Sequence, residues 1–384
     1  MGTGPCCAGC PLEKSGAGFT SVEVGARYQQ TRLLLVGEAS GAAEAQEGLP
    51  FRPYAQSGSL LADALREVGM SRADVAISNV VRCRPPKDWL EGAPYAFGAI
   101  SHCEREYLRG EIERLKPRVI LALGGTAMRA LTESGRGKAF QLEYIRGFAR
   151  PGAGVAEGVT VVSTFHPAFI RRGSPHLTPL LQRDLRRAFL MATGKLREGE
   201  HYSLDPFALG LGYQTAPTLD EAWEFAHSLT DASIAFDLET PMSTRSDEDE
   251  RTAFTDRDIK LAQFCQTKGE GIALPWREEY VDVARYIFSL PNVKVGFNCY
   301  NFDVPVLQAN GVEVRGLIDD AMVMFHSVEP DLPANLQTVA QWCGWGWPWK
   351  HYSGENLEWY GVADVDATRH SYEVLKTYMG RERA

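Results

Sequence analysis

The chain has 384 residues, an apolar fraction of 44% and a formal net charge of −9. This length predicts two or three domains, and the apolar fraction is typical of a globular protein with complete cores. No apolar run reaches the ~20 residues that a membrane-spanning helix needs. We therefore expect a soluble protein in the cytoplasm of a bacterium or of a phage-infected host, without a membrane partner.

The charge is unevenly distributed along the chain. Residues 1–200 contain 26 Lys and Arg against 20 Asp and Glu, a net charge of +6, whereas residues 201–384 contain 14 against 29, a net charge of −15. A basic half joined to an acidic half favours two domains with different tasks. The basic half is suited to direct contact with phosphates, whereas the acidic half would meet them through metal ions or local patches.

Short apolar runs alternate with helical patterns in the first half. Four runs predict buried β-strands: TRLLLVG, ADVAISNVV, RVILALGG and GVTVVSTFHP. The stretches between them, such as residues 57–69 and 103–117, have helical periodicity. This alternation predicts an α/β domain with a parallel sheet and helices on both faces.

Ligands of such sheets bind beyond the carboxyl ends of the strands. Glycines and polar residues follow the predicted strands at these ends: Gly37-Glu38, Ser78-Asn79, Gly124-Gly125 and His166-Pro167. The pattern therefore predicts a binding site at this edge of the sheet, without naming its reaction.

Eight cysteines are too few and too scattered for a disulfide framework, which favours a reducing compartment. Arg82 and Arg84 flank one of them and favour its thiolate form. A C-x-x-C pair near the start, a cysteine after the second predicted strand and one beginning a predicted helix can together close a metal or cluster site. These four candidate ligands are Cys7, Cys10, Cys83 and Cys103. Their spacing alone leaves zinc and a four-iron cluster open.

A segment with little periodicity, residues 193–217, predicts a linker and places the domain boundary near residue 205. We expect one domain over residues 1–204 and another over residues 205–384. A capped helix follows the linker at Thr218 and Glu221.

Residues 232–240 predict a strand, and residues 240–258 are charged and poor in apolar side chains. The second stretch predicts a solvated loop.

Four carboxylates and a tyrosine recur at definite positions in the acidic half. Asp237 and Glu239 are two residues apart on a predicted strand and share a face. Asp303 opens a helix after another strand, and Tyr360 and Asp364 share a face of the last helix. Singly, each is a solvated acid near a strand end. Together they can hold two divalent cations, Mg²⁺ or Mn²⁺, for phosphodiester hydrolysis, with the tyrosine orienting the attacking water.

Residues 218–380 resemble the 3′→5′ exonuclease superfamily that has four acidic ligands and a tyrosine. The resemblance is closest to the proofreading domain of phage polymerases related to bacterial polymerase I, in YGVADVDAT and DLPANLQTVAQWCGWGWPWKHY. It implies a ribonuclease H-like fold and 3′→5′ DNA exonuclease activity. The implied metal ligands are Asp237, Glu239, Asp303 and Asp364; Tyr360 would orient water, and Asn298 would support the site.

Four tryptophans lie just before the last helix: Trp342, Trp345, Trp347 and Trp349. They leave two interpretations open. They stack on single-stranded bases, or they pack beneath the active-site helix, which is the interpretation that we favour.

Residues 5–192 resemble the iron–sulfur uracil-DNA glycosylases of family 4. The motifs CAGCPL, GEASGAAEAQEGLPF, SNVVRCRPP, ALGGTAMRAL, FHPAFIRRG and DLRRAF occur in the order of that family. The resemblance implies a uracil-DNA glycosylase-like α/β/α domain and a [4Fe–4S] cluster bound by Cys7, Cys10, Cys83 and Cys103. Cys6 would then be a spare thiol.

The same resemblance implies roles for residues at the strand ends. The target base leaves the stack; Phe51 would stack on it and Asn79 would read its Watson–Crick edge. His166 would donate to a carbonyl oxygen as charge moves onto the departing base. Glu38 would position water and stabilise the cationic sugar.

Further residues of these motifs have implied contacts with DNA. Glu44 matches another acidic position of the substrate site, and Arg171 and Arg172 would grip phosphates. Phe169 or Ile170 would wedge the duplex open.

The chain departs from the glycosylase pattern at Ser40 and Ala45, in a longer RPYAQSG turn, and at Lys87 and Asp88. The pocket is therefore weakened, retuned to another base, or used only to bind DNA.

Three interpretations remain open. Both domains are catalytic on uracil-containing DNA and DNA 3′ ends; only the exonuclease is catalytic, beside a DNA-binding module; or the chain is a proofreading accessory of a separate DNA polymerase. The chain resembles the N-terminal part of certain phage polymerases. We expect either a standalone protein or a truncated polymerase.

Overall fold

The computed structural model describes residues 4–133, 140–195, 210–241 and 258–381. The chain divides into two compact units. The first comprises Met1–Leu204 with Gly346–Pro348, and the second Asp205–Trp345 with Trp349–Ala384. The middle of the predicted linker and nearly all of the predicted solvated loop lie outside the described residues. Within the described ranges, no helix has both the length and the apolar character needed to cross a bilayer.

The first unit is built on a six-stranded sheet. Its strands are β1 Glu23–Val24, β2 Leu33–Ala39, β3 Ala76–Val81, β4 Val119–Leu123, β5 Ala149–Pro151 and β6 Thr160–Thr164. They lie in the order β1-β3-β2-β4-β6-β5. The four inner strands are parallel, as predicted, and the short edge strands β1 and β5 pair antiparallel with them. The inner strands are almost completely buried, as expected of a parallel sheet covered by helices.

The helices of this unit lie between the strands. They are α1 Tyr28–Thr31, α2 Ala42–Glu47, α3 Gln56–Glu67, α4 Ala96–Cys103, α5 Arg109–Leu115, α6 Gly125–Leu131, α7 Leu142–Ile145, α8 Pro167–Gly173 and α9 Thr178–Ala192. The prediction that Cys103 begins a helix is wrong, because it ends α4. Ala99 and Cys103 lie four residues apart on the buried face of α4, so the helical pattern begins earlier. A π-helical turn, Glu104–Leu108, then leads into α5.

A buried ion pair fastens α9 to the end of β6. Asp184 is 4% exposed. Its two carboxylate oxygens each lie 2.9 Å from Nη1 of Arg146, and Thr164 Oγ1 donates to Oδ2 at 2.7 Å. Gly147 has a φ of +73°, and a Cβ there would lie 2.5 Å from Asp184 Oδ1. The network therefore fixes the chain just before His166.

The second unit has a mixed six-stranded sheet. Its strands are β7 Gly212–Gln214, β8 Ile234–Glu239, β9 Leu261–Thr267, β10 Glu270–Pro275, β11 Lys294–Gly296 and β12 Ile318–Asp320. The order is β12-β11-β8-β9-β10-β7. Strands β8, β9 and β10 are antiparallel neighbours, whereas β11 is parallel to both β8 and β12. This is a ribonuclease H-like arrangement extended by β7, so the predicted two-domain α/β fold class is confirmed.

The described helices of the second unit are α10 Leu219–Ser228, α11 Glu278–Ser289, α12 Asp303–Ala309, α13 Ala321–Val328, α14 Leu336–Trp342 and α15 Leu357–Arg381. The predicted cap of α10 is confirmed, since Thr218 and Glu221 form a reciprocal capping box. Trp342, Trp345 and Trp349 are buried, which supports the packing interpretation for these three.

Candidate functional site

A cavity of about 870 Å³ opens at the carboxyl ends of the parallel strands in the first unit. Most of the predicted site residues of this unit line it: Glu38, Glu44, Phe51, His166, Phe169 and Arg172. Asn79 and Arg171 are not among the described residues that line the cavity. The sheet edge chosen from the sequence is therefore where the cavity lies.

Glu38 lies near the end of β2 at the wall of the cavity. Its Oε2 accepts a hydrogen bond of 2.6 Å from Thr126 Oγ1, which belongs to the first turn of α6. This bond connects the ends of β2 and β4 and restrains the carboxylate. Thr126 was missed in the sequence analysis, because its partner is far away along the chain.

Phe51 is held in an unusual backbone conformation. Its φ is +48°, in the left-handed region that a non-glycine residue rarely adopts, and its side chain is buried. Its N–H donates to Glu44 Oε1 at 2.9 Å, and its carbonyl accepts from Arg72 Nη1 at 2.7 Å. Two charged side chains therefore hold the segment that carries the ring.

Glu44 was expected to bind substrate, but its observed contacts hold the backbone. Besides Phe51, it accepts from the Gly41 N–H at 2.9 Å. Burial raises the pKa of Glu44, and the two backbone N–H groups oppose that shift. In this structure Glu44 organises the loop between α2 and α3, and it also borders the cavity.

Asn79 lies inside β3 rather than at its end, and it is fully buried. A Cβ on Gly37 would lie 2.4 Å from Asn79 Oδ1 and 2.6 Å from the Phe51 ring, so only glycine fits between them. The Asn79 amide is close enough to Glu44 to oppose the rise in the pKa of that carboxyl group. Even so, neither polar atom of the amide meets hydrogen-bond geometry with another described residue. Its position beside Gly37, next to the Phe51 ring, makes it a candidate ligand-binding amide.

His166 is the N-cap of α8. Its Nδ1 accepts from the Ala168 N–H at 3.0 Å, and Pro167 occupies the first helical position. Burial, assisted by the charge of Arg172, lowers the pKa of His166 to about 4. The ring is therefore neutral near pH 7. Because Nδ1 acts as an acceptor, we assign the ring proton to Nε2.

The residues after His166 have different environments. Phe169 is 52% exposed and lines the cavity, whereas Ile170 is 1% exposed. Of the two predicted wedge residues, only Phe169 is therefore available to solvent. Arg171 and Arg172 are exposed at the end of α8.

Arg82 and Arg84 were expected to favour the thiolate form of Cys83. Arg82 is buried and pairs with Glu111, and its backbone and charge oppose the rise in the pKa of Cys103. Arg84 makes two hydrogen bonds of 2.6 Å to Asp88. Glu111 is distant along the chain, and Asp88 comes close only once the intervening turn has formed. Neither partner could therefore be recognised from the sequence around Cys83.

Two of the departures from the glycosylase pattern have clear positions. Lys87 and Asp88 have φ values of +57° and +55°, which is strained for two consecutive non-glycine residues. Asp88 borders the cavity, and Arg84 lowers its pKa. Ser40 is buried, where it hydrogen-bonds Thr20 Oγ1 at 2.8 Å.

The four predicted cluster ligands are buried neighbours. Burial raises the pKa of Cys83 to about 12 and that of Cys103 to about 11, and nearby thiols add to both shifts. Cys7 Sγ lies 3.5 Å from Tyr107 Oη, and Cys10 Sγ accepts from the Leu12 N–H at 3.5 Å. Buried thiolates in this position need a compensating positive charge.

The chemistry of the four cysteines fits either a zinc ion or a [4Fe–4S] cluster, since both are held by four thiolates. In the part of the chain that the structure describes, no three His, Cys, Asp or Glu side chains converge in a way that could hold a metal ion. A Cβ on Gly16 would lie 2.7 Å from Cys83 Sγ, so glycine leaves room beside that sulfur.

In the second unit, the four predicted carboxylates are close enough for their charges to affect the pKa values within the group. Burial raises the pKa of Asp237, and the charges of Asp303, Asp364 and Glu239 raise it further. Burial with the charge of Asp364 raises the pKa of Glu239 to about 7, and burial raises that of Asp303 to about 8. Asp303 Oδ1 accepts from the Leu238 N–H at 3.1 Å, next to both strand carboxylates.

The helix α15 approaches this cluster closely because of a glycine. A Cβ on Gly361 would lie 2.3 Å from Nε2 of Gln263, which is opposite Asp237 on β9. Tyr360 and Asp364 share the same helix, and burial raises the pKa of Tyr360. Asp366 instead accepts from Tyr213 Oη and from the Gly269 N–H, so it points elsewhere as expected.

Two partners of Asp364, Trp349 and Lys350, were not among the residues predicted from the sequence. The indole N–H of Trp349 donates to its Oδ1, and Lys350 Nζ donates to its Oδ2 at 2.7 Å. Lys350 Nζ also lies 2.9 Å from Tyr360 Oη. The lysine is close to two predicted functional residues that are 10 and 14 positions away.

Asn298, which the resemblance gives a supporting role, contacts the turn before Asp303. Its φ is +59°, its N–H donates to Asp320 Oδ1 at 2.9 Å, and its Oδ1 accepts from Asn301 at 2.8 Å. These contacts shape the turn that leads to Asp303.

The carboxylate set fits hard divalent cations by its chemistry, since Mg²⁺ prefers oxygen ligands. Each oxygen of Asp364 accepts one hydrogen bond here, and a carboxylate has about four acceptor positions in all. Ligating carboxylates are commonly hydrogen-bonded by other groups. The described acids do not, however, converge on one point as they stand.

Comparison with solved structures gives weak similarities. The apo form of a nuclease has a TM-score of 0.34 at 11% identity, covering 44% of this chain and 81% of that one. Escherichia coli RNase D, an exoribonuclease, has a TM-score of 0.31 at 14% identity, covering 43% and 45%. Scores in this range do not establish a shared fold.

Comparison by sequence gives a stronger result for the first unit. The family model described as Uracil DNA glycosylase superfamily matches residues 25–189. The type-4 uracil-DNA glycosylase of Thermotoga maritima is 36% identical over 183 residues, which are 47% of this chain and 87% of that protein. The enzyme of the same name from Pyrobaculum aerophilum is 34% identical, over 48% and 88%. The chain therefore belongs to the uracil-DNA glycosylase superfamily, through its first unit.

Proposed function

We propose that the chain is a DNA repair enzyme whose first unit recognises and excises uracil, or a related base, from DNA. The observation that carries this proposal is the neutral His166, whose free N–H donor lies at a cavity also lined by Glu38 and Phe51. Its sequence relatives bear the name of that activity.

The proposed mechanism assigns each cavity residue a separate task. The flipped base would stack on Phe51, and the buried Asn79 amide would pair with its Watson–Crick edge once the ring shifts. A buried amide whose hydrogen bonds are incomplete costs about 1–3 kcal/mol, so a base that completes them is favoured over one that cannot.

His166 would stabilise the leaving base. As the glycosidic bond breaks, negative charge develops on a carbonyl oxygen of the base, and Nε2–H is a preorganised donor for it. Glu38, oriented by Thr126, would place the attacking water and stabilise the positive charge on the sugar. Arg171 and Arg172 would bind phosphates, and the exposed Phe169 would fill the gap in the stack.

The [4Fe–4S] cluster is proposed for Cys7, Cys10, Cys83 and Cys103. Bound there, it would supply the positive charge that four buried thiolates need and would tie distant segments of the first unit together. No step of base excision in this proposal passes through it. Cys6 is exposed, in keeping with a thiol outside the ligand set.

A second function is proposed for the second unit: metal-dependent 3′→5′ hydrolysis of DNA. The observation that favours it is the set of four mutually influencing carboxylates beside Tyr360. Asp237, Glu239, Asp303 and Asp364 would hold two Mg²⁺ or Mn²⁺ ions, which would stabilise the attacking and leaving oxygens. Tyr360 would orient the water.

The proposed domain boundary stays near residue 205. The alternative assigns catalysis to the second unit alone, with the first unit binding DNA. The departures from the glycosylase pattern at Ser40, Ala45 and Lys87 motivate it. A role beside a DNA polymerase, in a bacterial or phage-infected cytoplasm, is compatible with both.

We expect the protein to release uracil from an oligonucleotide that contains one deoxyuridine. His166→Ala should lower the single-turnover rate by about 10²–10³-fold, because an oxyanion donor is lost. His176→Ala is the matched control, since His176 is exposed in the short 3₁₀ turn, Pro175–Leu177, that follows α8. Alkaline cleavage of labelled product measures both rates, and thermal melting checks the loss of the α8 cap. No release by the unmodified protein would refute the glycosylase proposal.

The neutral state of His166 predicts its pH dependence. With a pKa of about 4 against an ordinary 6.5, the ring stays neutral until the pH approaches 4. Protonation would occur at Nδ1 and break its hydrogen bond from the Ala168 N–H, so the excision rate should not change through this group above that pH. The unfolded chain binds this proton more readily, so stability from this group is complete above about pH 6.5 and is lost as the pH falls toward 4. Histidine ¹⁵N NMR would show an Nε2–H tautomer; titration near 6.5 would contradict the assignment.

We expect anaerobically purified protein to be brown and to contain iron and acid-labile sulfide. Cys83→Ser should lower the iron content and expose the first unit to proteolysis more than the second, since metal binding is coupled to folding. Cys6→Ser is the control and should keep its iron. Stoichiometric zinc without iron, or full iron in Cys83→Ser, would be evidence against the cluster.

For the second unit, Asp237→Ala should remove nearly all Mg²⁺-dependent trimming of a 5′-labelled oligonucleotide, because the cations lose a shared ligand. Tyr360→Phe should be milder, since it removes one hydroxyl. Glu358→Gln, an exposed acid on the same helix, is the control. Uracil release should be unaffected in all three variants. Full trimming activity in Asp237→Ala would overturn the nuclease proposal.

A further inference from the structure

Lys350 inserts its ammonium group between two proposed functional residues of the second unit. Its Nζ lies 2.7 Å from Asp364 Oδ2 and 2.9 Å from Tyr360 Oη. It also lies 5.0 Å from the centre of the Tyr360 ring. The side chains of Lys350 and Asp364 are only 19% and 9% exposed. The Lys350–Asp364 pair is therefore more buried than the surface ion pairs that contribute little to protein stability.

The direction of each hydrogen bond follows from the groups involved. An ammonium group can only donate, so the Tyr360 oxygen accepts from Lys350. The hydroxyl proton of Tyr360 is then directed away from the lysine, and the neighbouring Asp364 carboxylate is an acceptor for it. Asp364 is fixed in the same way on two sides, by Lys350 at Oδ2 and by the buried Trp349 indole at Oδ1.

We propose that Lys350 is a positioning residue of the nuclease site, which orients the Tyr360 hydroxyl and the Asp364 carboxylate for catalysis. This inference rests on the nuclease function proposed above. It assigns Lys350 no contact with the reacting phosphate. Trp349 and Lys350 are adjacent in the chain and together hydrogen-bond Asp364, and Lys350 also contacts Tyr360. The two residues therefore hold the proposed metal ligand and the proposed water-orienting tyrosine in one arrangement.

A simpler role would be that of a counter-charge for a crowded group of acids. Lys260 offers a test of this alternative, because its charge also acts on Glu239. It is exposed, and among the described contacts no hydrogen bond joins its ammonium to Asp364 or Tyr360. A role by charge alone should therefore be shared by both lysines, whereas positioning should belong to Lys350.

The experiment compares Lys350→Met, Lys350→Arg and Lys260→Met in the full chain. Trimming of single-stranded DNA at saturating Mg²⁺ gives kcat and KM, and calorimetric titration with Mn²⁺ gives metal affinity without turnover. Lys350→Met should lower kcat by about 10–100-fold and weaken Mn²⁺ binding, with little change in KM for DNA. Lys350→Arg should recover part of both. Lys260→Met should stay within about twofold of the unmodified protein, as expected of an exposed charge.

A double-mutant cycle shows whether Lys350 acts through the tyrosine. Lys350→Met should reduce kcat much less in a Tyr360→Phe background than alone, because coupled residues are not additive. Equal effects in both backgrounds, tighter Mn²⁺ binding in Lys350→Met, or equal losses in Lys350→Met and Lys260→Met would each overturn the inference. If the unmodified protein shows no metal-dependent trimming, the nuclease function itself fails, and the inference fails with it.

Discussion

A buried carboxylate is stable in its ionised form only if backbone N–H groups or positive charges compensate for the water that it has lost. This requirement determines the contacts around the buried acids of both units. Asp184 is met by Arg146 and Thr164, and the chain before His166 is fixed as a result. Glu44 is met by two backbone amides, and the Phe51 segment takes its conformation from that contact. In the second unit, neighbouring carboxylates raise the pKa values of Asp237 and Glu239 in addition to burial, and this repulsion makes the cluster a candidate cation site.

The two candidate sites use burial in opposite ways. In the first unit, burial lowers the pKa of His166 and keeps a neutral donor at the cavity wall. Such a donor can stabilise developing negative charge without a positive charge in the ground state. In the second unit, burial raises the pKa of Asp237 and leaves an acid whose ionisation needs a neighbouring cation. Burial therefore favours the uncharged form of His166, whereas the ionised form of Asp237 requires a positive charge nearby.

The sequence predicted the buried inner strands and the sheet edge of the cavity, because apolar runs followed by glycine mark where strands end. It placed Asn79 wrongly at an end, since periodicity reports burial and cannot show that pairing continues to Val81. Arg84 was assigned to the neighbouring cysteine because the alternative partner, Asp88, becomes visible only once the turn is formed. Lys350 was missed because it lies in an irregular segment with no fixed spacing to Tyr360.

The left-handed backbone at Phe51 has a consequence for engineering this protein. A residue with a side chain is strained at a φ of +48°, and glycine is the substitution that would relieve that strain. A search for thermostable variants would be drawn to this position on backbone grounds alone. The aromatic ring that glycine removes is fully buried beside Gly37, Asn79 and the cavity. Loss of a buried phenylalanine ring costs about 3–5 kcal/mol, which exceeds the roughly 1–3 kcal/mol stored in a strained backbone. Packing of the ring therefore stabilises a backbone conformation at Phe51 that the chain would otherwise avoid.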